Sequence, residues 1–186
     1  MRSMSQIMER LRPGLLYSPR HTWARKVGKR RVRVGLDPFA SDLIGQALSI
    51  VFPAIRSRID AGKPGCWVLD ETGPIPIRMP VSGTVVRCHK ELQQFPGPIG
   101  SEPCGRGWLM EVEVEGERAT AGLIPPEAMA PRMLSDLERF RRRIGNELRR
   151  SHAAVGPTLM DGGEPVDDLR RALGPSKYRR LILEFL

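Results

Sequence analysis

Three histidines (His21, His89, His152), three cysteines (Cys66, Cys88, Cys104) and one adjacent carboxylate pair (Asp70-Glu71) are the residues in this chain whose types invite chemistry. A metal site or an activated thiol needs such groups brought together. The cysteines are odd in number and spaced by 22 and 16 residues, which is neither a C-x-x-C pair nor a disulfide framework, so they are read as reduced, packed thiols. Asp70 and Glu71 are neighbours on an extended stretch and point to opposite faces, poor geometry for a cooperating acid and base, so a solvated turn is expected for them. His21 is assigned a structural hydrogen bond, and His89 is expected to point away from Cys88 on the same strand. No G-x-S-x-G, P-loop or glycine-rich strand-to-helix turn is present. The residues predict no catalytic centre and no metal.

The elements that must position these residues are mainly short strands. Met1, Met4, Met8 and Leu11 recur at helical spacing before Pro13-Gly14, which predicts a short helix, frayed and resting on the domain. Residues 22–27 and 31–36 alternate apolar and polar around Gly28-Lys29-Arg30 and predict a hairpin. One or two helical turns over 39–44 and a buried strand over 47–52 follow. A second hairpin is expected, with 66–69 entering its tip and 84–88 leaving it, and a last strand covers 108–114. Such strands with frequent turns and no βαβ alternation predict a sandwich or barrel. Beyond Pro125-Pro126, Met129, Met133, Leu137, Phe140, Ile144 and Leu148 mark an amphipathic helix of roughly twenty residues. A loop over 151–163, a helix opened by Pro165 and ending at Leu173, and a final helix after Gly174-Pro175 complete a tail apolar enough to need a surface to cover.

Composition bounds the function classes. The 186 residues are 40% apolar, enough for a core, and carry a formal charge of +9. That charge is uneven: +8 over residues 1–31, −3 over 32–130 and +4 over 131–186. With aromatic residues at 5%, the chain lacks the stacking platform of a dedicated nucleic-acid domain, so composition does not predict nucleic acid as the partner. No apolar run is long enough to cross a membrane and no signal-peptide pattern opens the sequence, so a cytoplasmic protein is expected.

The β region resembles the H protein of the glycine cleavage system, a small carrier whose lysine holds a lipoyl arm. Tyr17-Ser-Pro-Arg-His-Thr-Trp23 is similar to that family's Y-x-x-x-H-x-W, and Val34-Gly-Leu-Asp-Pro-Phe-Ala40 to its V-G-I-T-D-F-A. Asp60-Ala-Gly62, Pro80-Val-Ser-Gly83 and Gly105-Arg-Gly-Trp-Leu109 follow in family order and spacing. The resemblance, which runs from Tyr17 to about Gly122, implies a lipoyl/biotinyl-type flattened β barrel-sandwich, here followed by C-terminal α-helices: a mainly β, α+β chain. It also implies that the modified lysine sits at a hairpin tip, at the position of Thr72. The family segment E-S-V-K-A corresponds to Leu69-Asp-Glu-Thr-Gly73. An amide-linked lipoyl group needs an amine and threonine offers a hydroxyl; the nearest lysines are Lys63 and Lys90. Where the family carries acidic residues, this chain has Arg56-Ser57-Arg58, which implies changed partners.

The expectation is therefore a non-catalytic, glycine-cleavage-H-like protein without a lipoyl cofactor, acting as a protein-binding, assembly or regulatory module. Its expected division is a basic N-terminal arm over 1–14, the β domain over 15–124 and a helical extension over 125–186. Tip contacts are assigned to Asp70, Glu71, Thr72 and Arg78, and an interaction surface to Arg56, Arg58, Arg141, Arg142 and Arg143. Partners are unidentified proteins met through the arm or the tail helices, or a second copy of the chain. Two other readings stay open: a carrier with another attachment or a non-covalent ligand, and a basic binder of nucleic acid or an anionic surface.

Overall fold

The computed structural model describes residues 4–152 and 166–186. Two antiparallel sheets face one another. The larger is built on β2 (Thr22–Lys26) and β3 (Arg31–Leu36), the hairpin expected from their alternation, with Val32, Val34 and Leu36 turned into the core. Its order is β1-β2-β3-β9-β8-β5, where β1 is Leu16–Tyr17, β5 Arg58–Ile59, β8 Gly83–Cys88 and β9 Trp108–Glu113. Gly35 lets Trp23 lie flat on β3: a Cβ there would sit 2.5 Å from the indole, whose Nε1 donates to the Pro103 carbonyl at 3.0 Å. The smaller sheet has the order β4-β6-β7, with β4 Ser49–Val51, β6 Pro64–Asp70 and β7 Gly73–Arg78. Its inner residues Ile50, Cys66, Val68, Ile75 and Ile77 close on Val34, Val85, Met110 and Val112 of the other sheet.

Two expectations about strands are corrected. The strand leaving the second hairpin is β7, not 84–88, which belongs to the larger sheet. β7 carries Pro74 and Pro76, which a central strand would not tolerate, but it is an edge. The Leu48 amide donates to the Leu69 carbonyl on the β4 side, so Leu69 and its partner Pro74 form a pair without mutual hydrogen bonds. The polar groups of Pro74, and of Pro76 two residues on, face outward, where a missing N–H breaks no ladder bond. The stretch 47–52 is not a fully buried strand either: only its centre enters the sheet, Ile50 points inward, and Leu48 and Val51 are exposed.

The helices pack on one another and on the β1 and β3 strands of this sandwich. α1 (Met4–Arg10) rests on the domain as expected, through Ile7 and Leu11, and Arg10 holds Asp42 with two contacts of 2.6 and 2.8 Å that fix its C-terminal end. α2 (Pro38–Ile44) starts where the Asp37 side chain accepts from the Ala40 amide at 2.8 Å, an N-cap followed by proline in the first turn. α3 (Gly97–Ser101) is a single turn. α4 (Pro126–His152) is 27 residues long, longer than its apolar pattern indicated, because it begins before that pattern and accommodates Pro131 near its start. Met129, Met133, Phe140 and Ile144 form its buried face. α5 (Val166–Leu173) and α6 (Pro175–Ile182) fold back, burying Leu173, Tyr178, Leu181, Ile182, Phe185 and Leu186. Phe39, Phe140 and Phe185 stack around one point, with ring centroids 5.5–6.3 Å apart, and join α2, α4 and the C-terminus. Most of the loop expected over 151–163, and Pro165, lie outside the described residues. Among the described residues no helix is long and apolar enough to cross a membrane.

Candidate functional site

β6 and β7 are joined by the tightest kind of hairpin turn. Asp70 pairs with Gly73 and leaves Glu71 and Thr72 as the two residues of the apex. Gly73 has φ +114°, a backbone that side-chain-bearing residues avoid, and this lets the chain reverse so abruptly. The Asp70 carboxylate organises the turn: Oδ1 accepts from the Thr72 amide and from Thr72 Oγ1, both at 2.7 Å. The hydroxyl at the apex is thus committed to its own turn. Glu71 is exposed; Asp70 is only 4% exposed, which corrects the solvated placement expected for it.

Asp70 is buried because the tail covers it. Arg170 of α5 places Nη1 3.3 Å from Asp70 Oδ2, with both side chains almost wholly buried. The same guanidinium donates through Nη2 to the last carbonyls of α2, to Leu43 at 3.0 Å and more closely to Ile44, where a cation complements the negative end of a helix. It also lies 5.0 Å from the ring of Tyr178, whose hydroxyl donates to Leu43 O at 2.9 Å. From α6, Arg179 donates to the outward carbonyl of Pro74 at 2.6 Å. Sequence reasoning did not find Arg170 or Arg179: nothing local separates them from the other tail arginines. The one available signal was the tail's apolar content, which required a covered surface without saying which.

The other assigned residues are scattered. Arg78 is at the far end of β7, opposite Pro64, and donates to the Gly62 carbonyl at 3.0 Å, so it is not a tip contact. Arg58 pairs with Glu115 and approaches Asp60 at 3.9 Å, while Arg56 is exposed with φ +73°. Arg141 and Arg142 are exposed on α4, but Arg143 is held by Glu184 at 3.1 and 2.6 Å and serves to fix the C-terminus. It also lines an open groove of about 170 Å³ between α4 and α6, with Arg150, Lys177, Arg180 and Glu147.

The chemistry-bearing residues outside the apex are structural. His21, fully buried, donates from Nδ1 to Asp37 at 2.8 Å and faces Asp136 of α4 from Nε2 at 3.3 Å. Burial opposes its charge, but the two carboxylates outweigh that and push its pKa up to about 9. His89 stacks on Trp108 at 4.2 Å and donates to that residue's carbonyl. Burial pushes all three thiols up, Cys104 to about 12, so none is poised as a thiolate. Among the described residues no group of histidine, cysteine and acid side chains is placed to hold a metal. An amide-linked group at the apex would need an amine there; the turn offers a carboxylate pair and a hydroxyl, and does not fit one.

Comparison with known proteins supplies a frame for this geometry. The family model described as glycine cleavage H-protein matches residues 15–135. The glycine cleavage system H protein of Micrococcus luteus is 35% identical over 128 residues, covering 68% of this chain and 97% of the relative. That of Mycobacterium avium (strain 104) is 32% identical over 125 residues, covering 65% and 95%. The crystal structure of a glycine cleavage system H protein from Mycobacterium marinum aligns with a TM-score of 0.59 at 21% identity, over 66% of this chain and 98% of that one, a likeness of fold. Arg170, Tyr178, Arg179 and Phe185 all lie beyond the matched residues.

Proposed function

Because the chain belongs to the glycine cleavage H-protein family, whose members are carriers rather than catalysts, we propose that it keeps the carrier's scaffold without the carried group. It acts by binding, as an assembly or regulatory component in the cytoplasm. The observation that carries this reading is Thr72: the apex residue, at the position where the resemblance places the lipoyl-lysine, has its hydroxyl bonded to Asp70 at 2.7 Å. Neither neighbouring lysine replaces it. Lys63 stands at the foot of β6 and Lys90 opens a short 3₁₀ turn after β8. In this reading residues 15–124 form the platform, 1–14 the basic arm and 125–186 a helical extension, through whose outer face protein partners or a second copy are met.

A ligand-gripping apex is disfavoured because Asp70 is engaged within the chain and Arg78 is remote from Thr72. The test is production of the chain together with lipoate and a lipoate ligase. The intact mass is expected to remain that of the 20.8 kDa polypeptide, allowing for initiator-methionine processing. A lipoyl adduct would overturn the proposal.

A further inference from the structure

We infer that the C-terminal helices are a built-in cap: an arginine-anchored segment that flanks the β6–β7 apex at Asp70 and Pro74, leaves Thr72 half-buried, and in cis obstructs an enzyme that must enclose the residue at that tip. This rests on the reading of the apex as a display position that carries no group. The Arg170 guanidinium bridges the apex carboxylate Asp70, the terminal carbonyls of α2 and the face of Tyr178. The receiving surface has the shape for it. Gly45 (φ +63°) ends α2, and a Cβ there would stand 2.8 Å from Arg170 Nη2, so a side chain at this position would push the anchor out. Gly73 at the turn lies 3.6 Å from the Arg179 guanidinium on the same measure.

The opposite side of the tail is also tied. Arg143 holds Glu184, Arg139 lies 4.7 Å over the Phe185 ring, and Phe185 packs against Phe39 and Phe140. The cap therefore has two sets of contacts, one on the sandwich and one on α4, and cannot slide without losing both. Its anchors Arg170, Tyr178 and Arg179 lie outside the family-matched residues, whereas the surface they cover is the apex within them. The segment beyond the family-matched residues thus lies across the approach that a modifying enzyme would need.

The experiment restores the amine and then weakens the anchors in the full chain. T72K and T72K/R170M/R179M are each incubated with lipoate, ATP and a lipoate ligase, and the rate of adduct formation is read by mass. An apex open less than a tenth of the time is modified more slowly in proportion, so T72K is expected to react at least about tenfold more slowly than the anchor variant. Equal rates, whether fast or slow, overturn the cap. Should loss of the buried anchor unfold the chain, T72K/R179M, which removes only the contact with the Pro74 carbonyl, carries the comparison, again against equal rates. Hydrogen exchange of the unsubstituted chain is an independent readout: the amides of α6 are expected to be protected, and exchange as fast as in an unstructured peptide overturns the proposal. A lipoyl adduct on the unsubstituted chain would defeat the reading of function, while the rate ratio would still decide the cap.

Discussion

His21 shows how a single residue ties the β sandwich to α4, whose Asp136 lies just past the family-matched residues. It stands in the left-handed region at φ +58°, buried between Asp37, which also caps α2, and Asp136 on α4. Its folded pKa of about 9 lies above the ordinary 6.5, so its stabilising charge is fully present below pH 6.5 and is lost as pH rises through 9. A shift of this size corresponds to about 3 kcal/mol. The chain is therefore expected to lose about that much unfolding free energy, by urea denaturation, between pH 6 and pH 9.5. H21N, which tolerates the backbone but cannot be charged, should lack this component. A structural role for His21 was legible from the sequence; its second partner was not, because a long-range pairing leaves no local trace. The same holds for Asp70. Position 72 could be read from motif spacing alone, but the burial of the neighbouring carboxylate depends on an arginine a hundred residues away.

At the scale of elements, periodicity found what local sequence determines. The β2–β3 hairpin, α2, and the buried faces of β9 and α4 follow their apolar patterns. It failed where tertiary context reverses a local rule. β7 carries two prolines and still forms a strand, since their outward positions need no donor and Arg179 takes up the carbonyl that remains. α1 is docked through Ile7, between the methionines whose spacing suggested the helix. The tail's need for cover was legible, its target was not. α6 is anchored by Tyr178, whose hydroxyl shares the Leu43 carbonyl with Arg170. Y178F removes one buried hydrogen bond while leaving that carbonyl an acceptor for Arg170, and is expected to cost about 1 kcal/mol. For a chain of this size that is a fall of about 2–4 °C in Tm by calorimetry; an unchanged Tm would show that α6 is not held there.

For the whole molecule, the uneven charge takes on a structural meaning. Several arginines of the basic ends serve inside the chain, Arg10 on Asp42, Arg170 on Asp70 and Arg143 on Glu184. What remains outward, including the exposed Arg141 and Arg142, is the surface that the proposed reading offers to protein partners. A carrier's apex has to be reached by several enzymes; here a tail beyond the family-matched residues is anchored beside it on Asp70, and a threonine stands at its tip. The central claim, that this scaffold carries no tethered group, is tested most directly on protein isolated from its natural host by mass analysis of the tryptic peptide 59–78, which contains both Lys63 and Thr72. The account predicts the unmodified peptide mass alone. A peptide heavier by a lipoyl group, or by any sulfur-bearing acyl group, would contradict it.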